Sequence, residues 1–168
     1  MRFASDNSSG AAPEIMAAVA KANEGFERSY GADQAMTRVT AMVREVFEAP
    51  EAAVYLVATG TTANALSIAS YCPPWGAVFC HEFAHIAEDE CGAPEFYSGA
   101  KLVLVDGAEG KMTPAPLAGP LGRSGGGGVH GAQPAMLSLT NVTEAGTVYS
   151  VAEIAALVAE KAFARLKA

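Results

Sequence analysis

Four short apolar segments, each followed by turn residues and a helical pattern, constrain the fold of this chain more than any other feature. They predict buried strands at residues 52–57, 77–80, 101–105 and 135–140. Strands that alternate with helices pair in parallel, because each helical crossover returns the chain to the same end of the sheet. The sequence therefore predicts an α/β fold built around a parallel sheet.

Capping residues and prolines mark the helices around these strands. Thr113-Pro114 supplies an N-cap and a first-turn proline, and Ser150 with Glu153 has the pattern of a capping box. A Pro-Pro pair after Cys72 ends the helix before it, since the residue preceding a proline is pushed out of the α region. The predicted helices cover residues 13–23, 34–47 and 63–71, a segment that starts at 114, and a segment from 151 to the end of the chain.

The chain has 168 residues, of which 51% are hydrophobic and 17% charged, and this length predicts a single domain with its own core. Within it, we expect residues 1–50 to form a helical segment and residues 51–168 to form the α/β part. Soluble domains carry about 25% charged residues, so the polar covering here is thin. We therefore expect apolar surface that a partner or further sequence covers.

Charge, hydropathy and cysteine usage argue against several classes of protein. A net charge of −7 disfavours a nucleic-acid partner, because binding a phosphate backbone needs a basic surface. Residues 52–80 carry no charged side chain, but turn residues and prolines interrupt them, so they predict buried core and no membrane span. The three cysteines lack C-x-x-C spacing and the first residues resemble no signal peptide, so we expect reduced thiols in the cytoplasm.

Residues 59–64, with the sequence Thr-Gly-Thr-Thr-Ala-Asn, lie between an apolar strand and a helix start. A glycine there lets the backbone approach an anion, and the N–H groups of the first helical turn point outward. Gly60, Thr61 and Thr62 could therefore hold a phosphate group without a lysine. The alternative is an ordinary turn capped by a threonine, which by spacing alone is the more frequent case.

Residues 81–85, with the sequence His-Glu-Phe-Ala-His, match the H-E-x-x-H zinc motif. On a helix, His81 and His85 would lie on one face and ligate Zn²⁺, with Glu82 as general base. The alternative, which we favour, is a pair of histidines in a strand-to-helix connection, so we expect no metal site. A zinc site would also need a third ligand, for which the candidates, none at a typical spacing, are Glu88, Glu90 and Cys91.

The lysines show no sign of covalent catalysis on a carbonyl group, which needs a desolvated amine held in a cleft. Three of them fall on predicted helix surfaces, one lies in a Glu-Gly-Lys turn and one begins a strand. We expect all of them to be solvated: Lys21, Lys101, Lys111, Lys161 and Lys167.

Several motifs follow one another along the chain in the order and spacing of one protein family. They are residues 5–7 (R-S-D-T in the family), 29–33 (V-Y-G-E-D), 59–64 (S-G-T-x-x-N), 84–86 (S-H-I), and Thr140 with 145–148 (E-N-T-H-N and G-G-x-V). The chain thus resembles the N-terminal half of the threonine aldolase and β-eliminating lyase family. Residues 72–78 and 89–96 are similar to sequence motifs of a low-specificity aldolase subgroup.

The resemblance implies a fold type I large domain, a three-layer structure with a mostly parallel sheet, and pyridoxal 5′-phosphate (PLP) as cofactor. Gly60, Thr61 and Thr62 would hold the cofactor phosphate, in agreement with the reasoning from the turn. His85 would stack on the pyridine ring. The H-E-x-x-H pattern would then be coincidental.

The resemblance also implies residues that contact the substrate and a second subunit. Ser5 would contact the carboxylate of a small amino-acid substrate, and Tyr30 would reach into the neighbouring site of a homo-oligomer, a dimer or tetramer. The family's D-G-A-R motif and its Schiff-base lysine have no counterpart here. We therefore expect an incomplete large domain.

Three functions follow, in order of preference. The first is a PLP-dependent lyase that cleaves β-hydroxy-α-amino acids to glycine and an aldehyde, represented by its N-terminal part. The second is a non-catalytic remnant that acts in assembly or binding. The third is a zinc hydrolase.

Overall fold

A computed structural model describes residues 8–124 and 128–160 of the chain. The chain divides into two compact units, Met1–Leu56 and Val57–Ala168. Each unit is described below by itself.

In its described part, from residue 8 onward, the first unit contains two α-helices, α1 (Pro13–Ala22) and α2 (Gln34–Val46). A proline in its first turn starts α1, and Asp33 caps α2 by accepting a 2.7 Å hydrogen bond from the Met36 N–H. Both predicted helices are confirmed, with their ends displaced by one residue. The Tyr30-Gly31-Ala32-Asp33 turn thus has a structural role at its last residue.

The strand predicted at residues 52–57 is wrong. These residues have no regular secondary structure and pair with no strand in the described part of the chain. The Ala52 carbonyl instead accepts a 2.9 Å hydrogen bond from Arg44 Nε of α2. An apolar run can become a strand only where another strand accepts its backbone hydrogen bonds.

The second unit is built on a parallel sheet with strands β1 (Gly76–His81), β2 (Lys101–Val105) and β3 (Gln133–Leu137). The strand order is β2-β1-β3, and both pairings are parallel. Every residue of the central strand β1 is buried. The predicted parallel α/β fold is confirmed for the three strands that the structure describes.

Among the residues that the structure describes, five α-helices accompany the sheet: α3 (Gly60–Tyr71), α4 (His85–Glu88), α5 (Ala93–Ser98), α6 (Pro114–Arg123) and α7 (Val151–Val158). The helix α3 ends before the Pro-Pro pair, as predicted. Ser150 and Glu153 form the predicted capping box of α7. Thr113 occupies the predicted N-cap position of α6, but its side chain makes no capping hydrogen bond.

The side chains of β1 alternate between two apolar clusters, one on each face of the sheet. Ala77 and Phe79 pack with residues of α6 and α7, such as Leu117 and Leu157. On the other face, Val78 and Cys80 pack with residues of α3 and α4, which include Ile68 and Ile86. The unit therefore has the three layers expected of this fold class.

This layering places a topological switch at the carboxyl end of β1. The helix α4, which follows β1, packs on one face, whereas α6 and α7, which follow β2 and β3, pack on the other. In open α/β sheets, ligands bind beyond the carboxyl ends of strands where the crossovers change face. We therefore expect a ligand site at the residues that follow His81, the last residue of β1.

None of the helices in the described ranges is long and apolar enough to cross a membrane.

Candidate functional site

The N-terminus of α3 presents the turn that the sequence predicts for phosphate binding. Thr59 Oγ1 accepts a 3.1 Å hydrogen bond from the Thr62 N–H and lies 2.9 Å from Thr62 Oγ1. The N–H groups of Gly60 and Thr61 have no acceptor among the described residues. These two donors stand where the helix dipole is positive, so they can bind an anion.

Gly60 leaves the approach to this helix end open. A methyl group built on Gly60 would have no heavy atom of the described structure within 4 Å. Thr61 and Thr62 are half-buried and line a cleft of about 380 Å³ between α3 and α5. The turn therefore combines exposed backbone donors with two hydroxyl groups, a donor set that fits a phosphate group.

A buried carboxylate connects this helix to the predicted ring-binding histidine. Asn64, in the second turn of α3, donates from Nδ2 to Glu90 Oε1 at 2.7 Å, and His85 Nδ1 lies 3.0 Å from the same oxygen. The Glu90 side chain is 0% exposed, whereas that of His85 is 46% exposed. The imidazole of His85 is thus held beside the start of α3, with half of its surface open to a ligand.

The sequence did not predict the two hydrogen bonds that Glu90 accepts. In the sequence, Glu90 is a candidate only for a third zinc ligand. Asn64 is only the last residue of the turn motif at residues 59–64. The only sequence signal for Glu90 is its position in the family-like motif at residues 89–96.

The two histidines of the H-E-x-x-H pattern do not lie on one helix. His81 is the last residue of β1 and His85 the first of α4, and a turn closed by a 2.9 Å hydrogen bond from the Ala84 N–H to the His81 carbonyl separates them. Both ring nitrogens of His81 are engaged, Nδ1 with the Phe83 N–H at 3.0 Å and Nε2 with the Gly107 carbonyl at 2.9 Å. The geometry that the zinc motif requires is therefore not present.

The prediction that every lysine is solvated is wrong for Lys111. Its Nζ donates to both carboxylate oxygens of Glu153, at 3.0 and 3.2 Å, and lies 5.5 Å from the centre of the Tyr149 ring. Only 20% of its side chain is exposed. This amine is held by an ion pair with Glu153, which also belongs to the capping box of α7.

The remaining predicted residues lie elsewhere. Tyr30 belongs to the first unit, where its side chain is fully exposed and its backbone has a positive φ of 61°. It lines a cleft of about 600 Å³ with residues such as Asp33 and Tyr55. Ser5 lies outside the described residues, as do Lys161 and Lys167. The substrate and subunit roles of Ser5 and Tyr30 stay predictions.

Comparison with known proteins gives a consistent result. Residues 2–165 match the family model described as beta-eliminating lyase. The low specificity L-threonine aldolase of Pseudomonas aeruginosa is 44% identical over 158 residues, which cover 93% of this chain and 44% of that protein. A protein of the same name from another Pseudomonas strain is 42% identical with the same coverage.

The fold agrees with these sequences. A solved structure of threonine aldolase from Leishmania major superposes with a TM-score of 0.86 at 29% identity, over 94% of this chain and 45% of that one. This chain therefore spans less than half the length of the relatives it matches. Members of the family depend on PLP, and its threonine aldolases are carbon-carbon lyases. The chain belongs to the beta-eliminating lyase family, with a large domain of fold type I.

Proposed function

We propose that this chain forms the part of a PLP-dependent lyase that holds the cofactor phosphate and the cofactor ring. The reaction would be the cleavage of a β-hydroxy-α-amino acid to glycine and an aldehyde. The names of the two Pseudomonas relatives support this reaction, since both are low specificity L-threonine aldolases.

One observation carries the proposal. The predicted phosphate turn and the predicted ring-stacking histidine are separated by more than twenty residues of sequence, yet the Glu90 carboxylate joins them in one hydrogen-bonded cluster. A turn that only capped the start of α3 would need no such link.

Each group has a distinct role in this proposal. The N–H groups of Gly60 and Thr61, with the Thr62 hydroxyl, would bind the phosphate, and the half-exposed His85 ring would cover one face of the pyridine. PLP, when bound, supplies the electron withdrawal that weakens the Cα–Cβ bond of the amino acid. None of the lysines in the described ranges lies in this cluster, so the described residues of the cluster would bind the cofactor without a covalent bond.

We also propose that the protein acts as a homo-oligomer, a dimer or tetramer, in the cytoplasm. The first unit exposes large apolar side chains on α1, namely Ile15, Met16 and Val19, which supports an association surface. All three cysteines are free, as is typical of a reducing compartment. Light scattering coupled to size exclusion tests the assembly, and a monomer at micromolar concentration would contradict it.

The experiment that tests cofactor binding uses pyridoxamine 5′-phosphate, because this analogue has no aldehyde that could react with surface lysines. We expect calorimetry to show binding at one site per chain. Pyridoxamine, which lacks the phosphate, should bind at least about tenfold more weakly if the α3 turn holds that group. Equal affinity for the two compounds would contradict the phosphate site.

The reaction is tested separately from binding. The chain is mixed with the C-terminal segment of the Pseudomonas aeruginosa relative that lies beyond the matched region, and acetaldehyde released from threonine is measured with PLP present. We expect release only when both segments are present. Cofactor binding without cleavage of any β-hydroxy-α-amino acid would contradict the aldolase assignment and leave the cofactor site in place.

A further inference from the structure

Glu90 is the one buried side chain in the described structure with an unsatisfied polar atom. Its Oε2 atom is inaccessible to solvent and accepts no hydrogen bond from the described residues, while Oε1 accepts two. A buried carboxylate is costly unless its oxygens are paired. An unsatisfied buried oxygen of this kind calls for an explanation other than packing.

The two hydrogen bonds to Oε1 define the state of the His85 ring. A carboxylate oxygen that already accepts from Asn64 can only accept from His85 as well, so Nδ1 of His85 carries a hydrogen. In the neutral imidazole, the other nitrogen, Nε2, is then an acceptor. No described residue bonds to His85 Nε2, and the ring is 46% exposed.

We propose that Glu90 is a positioning residue of the cofactor site, which fixes the His85 ring as its Nδ1–H tautomer and ties it to α3 through Asn64. The function of this arrangement rests on the proposed cofactor binding. Glu90 would orient the ring for stacking and leave Nε2 as a hydrogen-bond acceptor that faces the ligand. It would also keep the ring at a constant distance from the phosphate turn.

His81 provides an internal reference for the tautomer of His85. His81 Nδ1 accepts from the Phe83 N–H, so its hydrogen lies on Nε2, where it donates to the Gly107 carbonyl. The structure thus assigns opposite tautomers to two histidines only four residues apart. His130, the third histidine of the chain, is exposed and serves as the solvent reference.

The test is nitrogen-detected NMR of the imidazoles in the chain without cofactor, at a pH where the rings are neutral. Single substitutions of each histidine assign the signals. We expect His85 as the Nδ1–H form and His81 as the Nε2–H form. In Glu90→Ala, His85 should revert to the Nε2–H form that free imidazole prefers, whereas Glu90→Gln should keep the Nδ1–H form, because its amide oxygen still accepts.

Two controls separate positioning from folding. An unchanged His81 signal in each variant shows that the sheet and its turn are intact. Glu88→Ala removes an exposed carboxylate on the adjacent α4 and should leave the His85 tautomer unchanged. A wild-type His85 in the Nε2–H form, or a Glu90→Ala variant that retains Nδ1–H, would overturn the proposal.

Binding of pyridoxamine 5′-phosphate supplies the functional readout. Glu90→Ala should weaken binding about tenfold and Glu90→Gln much less, as expected for the loss of hydrogen bonds to a charged group. Equal affinities for wild type and Glu90→Ala would overturn the positioning role. If the wild type failed to bind the analogue, the proposed function would be wrong. The NMR measurement would still show whether Glu90 fixes the tautomer of the His85 ring.

Discussion

His85 and Glu90 share a hydrogen bond of 3.0 Å between imidazole Nδ1 and carboxylate Oε1. His85 is the first residue of α4, and Glu90 lies in the loop between α4 and α5. The acceptor is fully buried and the donor ring is nearly half exposed. The carboxylate thus lies inside the fold and the imidazole at its surface. This order favours a preorganised site, because the buried partner restricts the orientation of the exposed one.

Gly60→Ala tests the phosphate turn without disturbing the fold. The new methyl group meets nothing within 4 Å in the described structure, so we expect a melting temperature close to that of the wild type. It would, however, occupy the space through which a phosphate approaches the N–H groups of the turn. Affinity for pyridoxamine 5′-phosphate should fall about tenfold, and Gly122→Ala, on α6, should leave it unchanged. A Gly60→Ala variant with wild-type affinity would place the phosphate elsewhere.

Gly76→Ala should destabilise the sheet. A methyl group at this position would lie 2.5 Å from Cys72 Sγ, 2.8 Å from Ala135 Cβ and 2.9 Å from the Pro73 carbonyl oxygen. Overpacking of this kind costs about 1–3 kcal/mol, which urea unfolding monitored by circular dichroism measures. The matched variant is Gly60→Ala, whose free energy of unfolding should change little. A loss no larger in Gly76→Ala than in Gly60→Ala would show that β1 has room at its first residue.

The capping box of α7 should make stability depend on pH in acid. The Ser150 N–H, followed by the Lys111 ammonium group and the Ser150 hydroxyl, lowers the pKa of the Glu153 carboxyl from 4.5 to about 2. Its contribution to stability is therefore complete above the ordinary pKa near 4.5 and is lost as the pH falls towards 2.

The measurement is the urea midpoint of wild type and Glu153→Gln from neutral pH down to pH 2. We expect the wild type to be the more stable protein at neutral pH and the two midpoints to converge in acid. Glu144→Gln, at an exposed glutamate in the loop before α7, provides the control and should follow the wild type throughout. A constant difference between wild type and Glu153→Gln across this range would show that Glu153 does not act through its charge.

The three thiols should react at very different rates. Burial, with a smaller contribution from the Glu95 carboxylate, raises the pKa of the Cys80 thiol to about 12, and burial also raises the pKa of the Cys72 thiol. Cys91 is exposed. Since the thiolate is the reactive form, iodoacetamide at mildly alkaline pH should label Cys91 first, as peptide mass spectrometry detects. Cys91→Ser should remove the fast phase, and rapid labelling of Cys80 in the folded chain would contradict the burial of β1.

Local sequence signals sufficed for most helices. Three of these signals are the proline at the start of α1, the Asp33 cap of α2 and the Pro-Pro pair after α3. Each acts on residues within one helical turn, so its effect can be predicted from the sequence without knowledge of the fold. The Ser150 capping box is of the same kind. The apolar run at 52–57 failed as a strand prediction because a strand depends on a partner that its own sequence does not specify.

The sequence by itself determined the parallel α/β class, the capped helices and, through the order of its motifs, the family and its cofactor. Only the tertiary structure showed that the two close histidines have different surroundings. His81 ends a buried strand with both ring nitrogens engaged, whereas His85 begins a helix with its ring half exposed. It also showed which groups surround the Glu90 carboxylate, and the proposed role of Glu90 rests on those groups. Those groups, Asn64 and His85, reach it through packing that no local pattern encodes.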